Sequence, residues 1–176
     1  MYLGSTLSRD CTDETDVDAR IDAAGNAFGA LHEKIFSSTM VSMKVKKFCY
    51  IALILSILLY GSECWTLRVT RLHTRKHSIS NADIMERTGI SSIDSYVSLR
   101  QLRWAGHVAR MDFSRLPRKM LTSWVNNKRP RGAPRMTYGR GIRKALKKAN
   151  IEVAEWPTLA QDRLPWREKL RNAFPN

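Results

Sequence analysis

The chain predicts a mostly α-helical fold, and three observations carry that expectation. Apolar residues near the N-terminus recur at helical steps. A charge-free run, Phe48–Tyr60, follows between a capping serine and a glycine. The remaining residues are cut by Pro, Gly and Ser into short helical pieces on basic linkers. The predicted architecture is an antiparallel helix pair followed by short helices, and a hydrophobic share of 43% is enough to give it a buried core.

Val17, Ile21, Ala24, Phe28, Leu31 and Ile35 are spaced by three or four residues, the seam of an amphipathic helix. Asp13, Glu14, Asp16 and Asp18 crowd its start and Lys34 lies near its end, which suits the helix dipole. That placement accounts for the carboxylates without a metal. Ser42 is positioned to cap a second helix that runs to Tyr60 and stops at Gly61. The short loop between them, near Ser37–Val41, makes the two helices antiparallel neighbours, with the seam buried against Phe48–Tyr60.

Lys44, Lys46 and Lys47 flank the apolar run as they would a membrane span. Thirteen residues at 1.5 Å each reach only about 20 Å, short of the ~30 Å hydrocarbon layer. A buried core helix is the favoured reading, with membrane association as its rival.

Beyond a linker at residues 66–80, Asn81–Thr88 reads as a short helix ended by Gly89. Ser91 or Ser92 caps a longer helix from Ile93 to about Met111. This helix–glycine–helix spacing resembles that of a DNA-reading helix-turn-helix, but it is common in helical proteins and packing is the favoured explanation. Pro117 opens the next helix, and Pro130 and Pro134 hold Asn126–Arg135 (NNKRPRGAPR) extended. Thr137–Ala149 is a basic amphipathic helix ended by Asn150, and Trp156–Pro157 and Pro165–Trp166 begin two final short helices.

Charge gives the strongest functional indication. Between Arg100 and Lys148 the chain holds fifteen Lys and Arg against one acid, Asp112, and this segment supplies the whole net charge of +14. Such a block repels itself unless a polyanion neutralises it, and nucleic-acid phosphate is the usual one. Candidate contacts are Arg100, Arg103 and Arg110 on the long helix and Lys128, Arg129, Arg131 and Arg135 on the extended strip. Arg140, Arg143, Lys144, Lys147 and Lys148 on the amphipathic helix complete the set. Trp104, Trp124 and Tyr138 are interleaved and offer stacking surfaces, with core packing favoured for Trp104. The partner is RNA or DNA backbone, bound without sequence preference.

No catalytic chemistry is evident. Cys49, Cys64, His73 and His77 lack the short knuckle of a zinc site, and His107 lies between core positions. No Gly-rich phosphate loop, nucleophile elbow or adjacent Asp pair occurs. No cofactor is expected. The three cysteines, without Cys-x-x-Cys spacing, fit a reducing compartment, nuclear or cytoplasmic.

Several strings resemble one family in its own order. Tyr2-Leu3-Gly4-Ser5, Asp18-Ala-Arg20-Ile21 with Ala24 and Phe28, and Leu58-Leu59-Tyr60-Gly61-Ser62-Glu63-Cys64-Trp65 resemble the end of the reverse transcriptase of LINE-type (non-LTR) retrotransposons. Gln101-Leu-Arg-Trp104-Ala-Gly-His107-Val-Ala-Arg110-Met, Arg115-Leu-Pro117, Arg129-Pro-Arg-Gly132-Ala-Pro134-Arg135 and Leu159-Ala-Gln-Asp162-Arg163 with Trp166 resemble the tail that follows it. The resemblance implies that Tyr2, Leu3 and Gly4 are a primer-grip remnant on a short strand and that the helix pair within residues 1–65 is the thumb. Residues 66–80 are then a shortened linker and 81–176 the basic helical C-terminal region. The family's Ala-Asp-Asp metal site lies upstream of these strings. The expectation is therefore a fragment without polymerase or endonuclease activity that retains backbone binding. Its rivals are the membrane-associated protein and a decayed element with no selected function.

Overall fold

The computed structural model describes residues 13–65, 81–126 and 138–175. Tyr2, Leu3 and Gly4, for which a short strand is expected, the linker 66–80, and Lys128, Arg129, Arg131 and Arg135 lie outside the described residues. The fold is mostly α-helical, and no strand occurs among the described residues. It forms two compact units, Met1–Gly61 and Ser62–Asn176.

In the first unit, α1 (Glu14–Leu31) continues into a π-helical turn, His32–Phe36. Ser42 then caps α2 (Met43–Cys49), its side chain accepting from the Val45 N–H at 3.4 Å. A second π-helical stretch, Tyr50–Ile54, leads into α3 (Leu55–Leu58). The chain leaves the helix at Gly61, whose φ of 75° is the left-handed conformation glycine adopts without steric cost. The return helix packs on α1 through Tyr50–Ile54 and α3, as the predicted pair requires. Ala24, Ile54, Leu55 and Leu59 are its buried apolar centre.

The seam is narrower than its spacing implies. Ile21 is 51% exposed and Phe48 70% exposed, so neither is buried as the seam spacing and the apolar run respectively predict. Two helices alone cover one stripe of each other, and the stripe falls on Ala24, whose small side chain allows close approach. An apolar residue off that line meets water unless a third layer covers it. Phe28 is half-buried and stacks on Phe36, centroids 4.6 Å apart, within its own helical segment. Among the described residues no helix is long and apolar enough to cross a membrane.

The second unit is built around α5 (Ile93–Ala109), which packs on a 3-10 turn (Ser62–Cys64), α6 (Leu116–Asn126), α7 (Tyr138–Lys148) and α9 (Arg163–Ala173). Before it, α4 (Asn81–Thr88) ends at Gly89, φ 61°. Ser92 then caps α5 by accepting from the Ser95 N–H at 3.2 Å. Leu102, Val108, Ile142, Leu146, Trp156 and Trp166 are at most 2% exposed and form the centre of one apolar core. Below the core, the buried Gln101 amide donates to the Trp65 carbonyl at 2.8 Å, tying the 3-10 turn to α5.

Asn150 (φ 52°) ends α7. Its N–H donates to Lys147 O at 3.1 Å and that of Ile151 to Leu146 O at 3.0 Å, the paired bonds of a Schellman cap with Ile151 buried beneath it. α8 (Trp156–Leu159) carries Pro157 in its first turn. α9 is capped by Asp162, whose carboxylate accepts from the Leu164 N–H at 3.1 Å.

Candidate nucleic-acid interface

On α5 nine positions are buried, and Arg100, Arg103, His107 and Arg110 lie along the opposite side. Arg103 and His107 are exposed, while Arg100 and Arg110 are half-buried. A helix so enclosed presents one narrow outer stripe rather than the broad face a groove-reading helix inserts into DNA, which favours packing as the origin of the α4–Gly89–α5 spacing.

Arg110 is committed to the fold. Its Nη1 donates to the Ala160 carbonyl at 2.7 Å, beside the Gln161 amide that donates to Ala109 O at 3.0 Å. Burial, and then the neighbouring Arg163, lowers its pKa from the ordinary guanidinium value. Both bonds tie the end of α5 to the segment after α8.

The basic flank of α7 is also partly engaged. Lys144 donates to Asp94 Oδ1 at 3.3 Å, and Lys148 pairs with Oδ2 of the same carboxylate. Asp94 lies in the first turn of α5, where the helix dipole also favours it. Lys147 is exposed, and Arg140 and Arg143 are half-buried. Trp104 meets Tyr138 edge-on, centroids 5.7 Å apart at 90°, which is core packing and not an open stacking platform. Burial raises the Tyr138 hydroxyl above the ordinary phenol range, with Cys64 and Glu63 adding to the effect. Arg118 lies over the Phe113 ring at 3.8 Å and donates to the Met111 carbonyl.

The structure also brings up residues that charge density did not single out. Arg163, Arg167 and Arg171 are exposed and recur every fourth residue on α9, beside the buried stripe of Trp166, Leu170 and Phe174. The indole N–H of Trp166 donates to the Leu102 carbonyl at 3.3 Å and seats α9 on α5. Burial lowers the pKa of Arg103, and Arg167, Arg100 and Arg171 push it the same way. The spacing of the α9 arginines was the available signal, masked by the denser block that precedes them.

Among the described residues no group of three or more His, Cys, Asp or Glu gathers as a metal site. Among the described residues, neither Cys49 nor Cys64 forms a disulfide.

The chain is similar to a Caenorhabditis elegans protein described as an uncharacterized transposon-derived protein, 25% identical over 201 residues that take in 100% of this chain and 71% of that one. This likeness supports a transposon origin. No family model matches the chain. No solved structure matches it.

Proposed function

We propose that the chain is a thumb-and-tail fragment of a non-LTR retrotransposon reverse transcriptase, without catalysis of its own, that binds RNA or DNA backbone irrespective of sequence. The observation that carries this reading is the concentration of the whole net +14 in residues 100–148. The strings shared with that family and the transposon-derived relative support it. In this reading the helix pair within residues 1–65 is thumb-like, 66–80 is a shortened linker, and 81–176 is the binding region, working in the nucleus or cytoplasm.

Fluorescence anisotropy across a salt series tests it. With about six phosphates neutralised, log K falls against log salt with a slope near −5 on duplex and −4 on single strands. Scrambled competitors compete equally, since base-edge readers are not part of this proposal. Replacing Lys128, Arg129, Arg131 and Arg135 with Ala reduces the slope by roughly one unit per lost contact. Absence of measurable binding at low salt refutes the reading.

A further inference from the structure

We propose that the arginine face shared by α5 and α9, formed by Arg103, Arg167 and Arg171, is a second docking surface for nucleic-acid backbone. The inference rests on the nucleic-acid binding proposed above and places part of it outside residues 100–148.

Rigidity is the first support. Trp166 is buried, and its N–H bond to the Leu102 carbonyl sits one residue from Arg103. A Cβ built on Gly106 falls only 2.2 Å from the Trp166 indole nitrogen, so α9 meets α5 where only glycine fits. The guanidinium groups are therefore carried on two helices locked together, not on a loose tail. Their ordering cost on binding is correspondingly small.

Charge is the second support. Among the described residues, none of Arg103, Arg167 and Arg171 makes an ion pair, and Glu168, the sole acid on α9, forms none with them. Arg100 and Arg167 stand near enough to Arg103 to oppose its protonation. Like charges held together gain from an anion that reaches several at once, and the planar guanidinium fork suits phosphate oxygens.

The occupant is nucleic acid rather than lipid because of what α9 does with its apolar side. An interfacial membrane helix inserts that side into the acyl region. Here Trp166, Leu170 and Phe174 are buried in the protein core, which leaves only Leu164 and Pro165, at the start of α9, as exposed apolar side chains.

The test compares full-length parent with R103Q/R167Q/R171Q on labelled single-stranded RNA and duplex DNA of one length, with circular dichroism confirming the fold. K44Q/K46Q/K47Q removes the same charge elsewhere and serves as the control. The expected result is a salt slope smaller in magnitude by about 2 on RNA and about 3 on duplex in the arginine variant. The control should match the parent, and R103K/R167K/R171K should retain most of the slope. If the arginine variant keeps the parent's slope while the Lys128–Arg135 replacement lowers it, this face is not a contact although backbone binding stands. An equal drop in the lysine control also overturns the proposal, because net charge alone would then explain the effect. So does a result in which the arginine variant loses binding only to phosphatidylserine vesicles, run alongside as a third probe. Failure of the parent to bind either nucleic acid overturns both readings together.

Discussion

Gly106→Ala sets helix propensity against tertiary packing, and the two give opposite signs. On propensity alone, Ala in place of Gly inside α5 stabilises by about 1 kcal/mol. The structure places the new Cβ 2.2 Å from Trp166 Nε1, 2.7 Å from Cδ1 and 3.0 Å from Cε2. An indole is rigid, and Trp166 is only 2% exposed, so the ring cannot swing into solvent without emptying its site. Overpacking of this kind costs about 1–3 kcal/mol and occasionally more. Displacing the ring also strains or breaks its N–H bond to the Leu102 carbonyl, and leaving those buried groups unpaired costs a further ~1–3 kcal/mol.

The net expectation is a loss of roughly 1–5 kcal/mol, which lowers the melting temperature of a domain this size by several degrees to tens of degrees. Thermal unfolding followed by circular dichroism and tryptophan fluorescence reads it directly. Gly106→Ala combined with Trp166→Phe should be less destabilised than the sum of the two single changes, because the smaller ring relieves the clash. A Gly106→Ala protein that melts at or above the parent refutes the close approach of α9 to α5. It would also remove the rigid support argued for the arginine face.

Three other outcomes follow from named residues. Because burial raises the pKa of Tyr138, the folded chain holds its proton above about pH 10, where the unfolded phenol ionises. The group's contribution is thus intact below pH 10, and above it stability falls by up to about 1.4 kcal/mol per pH unit, a decline that Tyr138→Phe should flatten in urea titrations at pH 9 to 11. Phe28→Ala should destabilise the first unit by about 1–3 kcal/mol, less than a fully buried Phe. Ile21→Ala should change it by no more than about 0.5 kcal/mol, and equal melting losses in the two variants would contradict the packing seen around Ala24. Under the fragment reading proposed above, purified protein should show no primer extension on an RNA template with magnesium or manganese, since the sequence offers no adjacent Asp pair to hold two metals; template-dependent incorporation would contradict this.

Much of the helical layout was legible because its signals are local. Ser42, Ser92, Gly61, Gly89 and Asn150 stand where they do because caps and left-handed stops depend on a few neighbouring atoms. Burial was less legible. Ile21 fits the seam spacing, yet its exposure depends on how wide a stripe the partner helix covers, and that is a tertiary quantity. The same holds for the charges. Lys144 and Lys148 belong to an apparently free basic flank, but the carboxylate that holds them lies fifty or more residues away in α5. The α9 arginines could have been found from their i, i+4, i+8 spacing beside Trp166, Leu170 and Phe174. Counting charge by density passes over a stripe that is regular but sparse.

Under the proposed binding, what separates cations available to a polyanion from those engaged by the fold is the neighbourhood of each. Arg110 and Arg118 donate to the carbonyls of Ala160 and Met111, where α8 and α5 have just ended and the negative end of each helix dipole lies. Lys144 and Lys148 share Asp94. These four relieve part of the repulsion within residues 100–148 from inside the fold, and replacing them perturbs stability together with any binding. Arg103, Arg167 and Arg171 make no such bond among the described residues, so folding leaves their mutual repulsion in place. An anion that bridges them recovers that energy on binding, whereas one that competes for Arg110 must first break its bond to Ala160. If a polyanion binds as proposed, it therefore docks on the α5–α9 face at lower cost than at the end of α5, although the two share a helix.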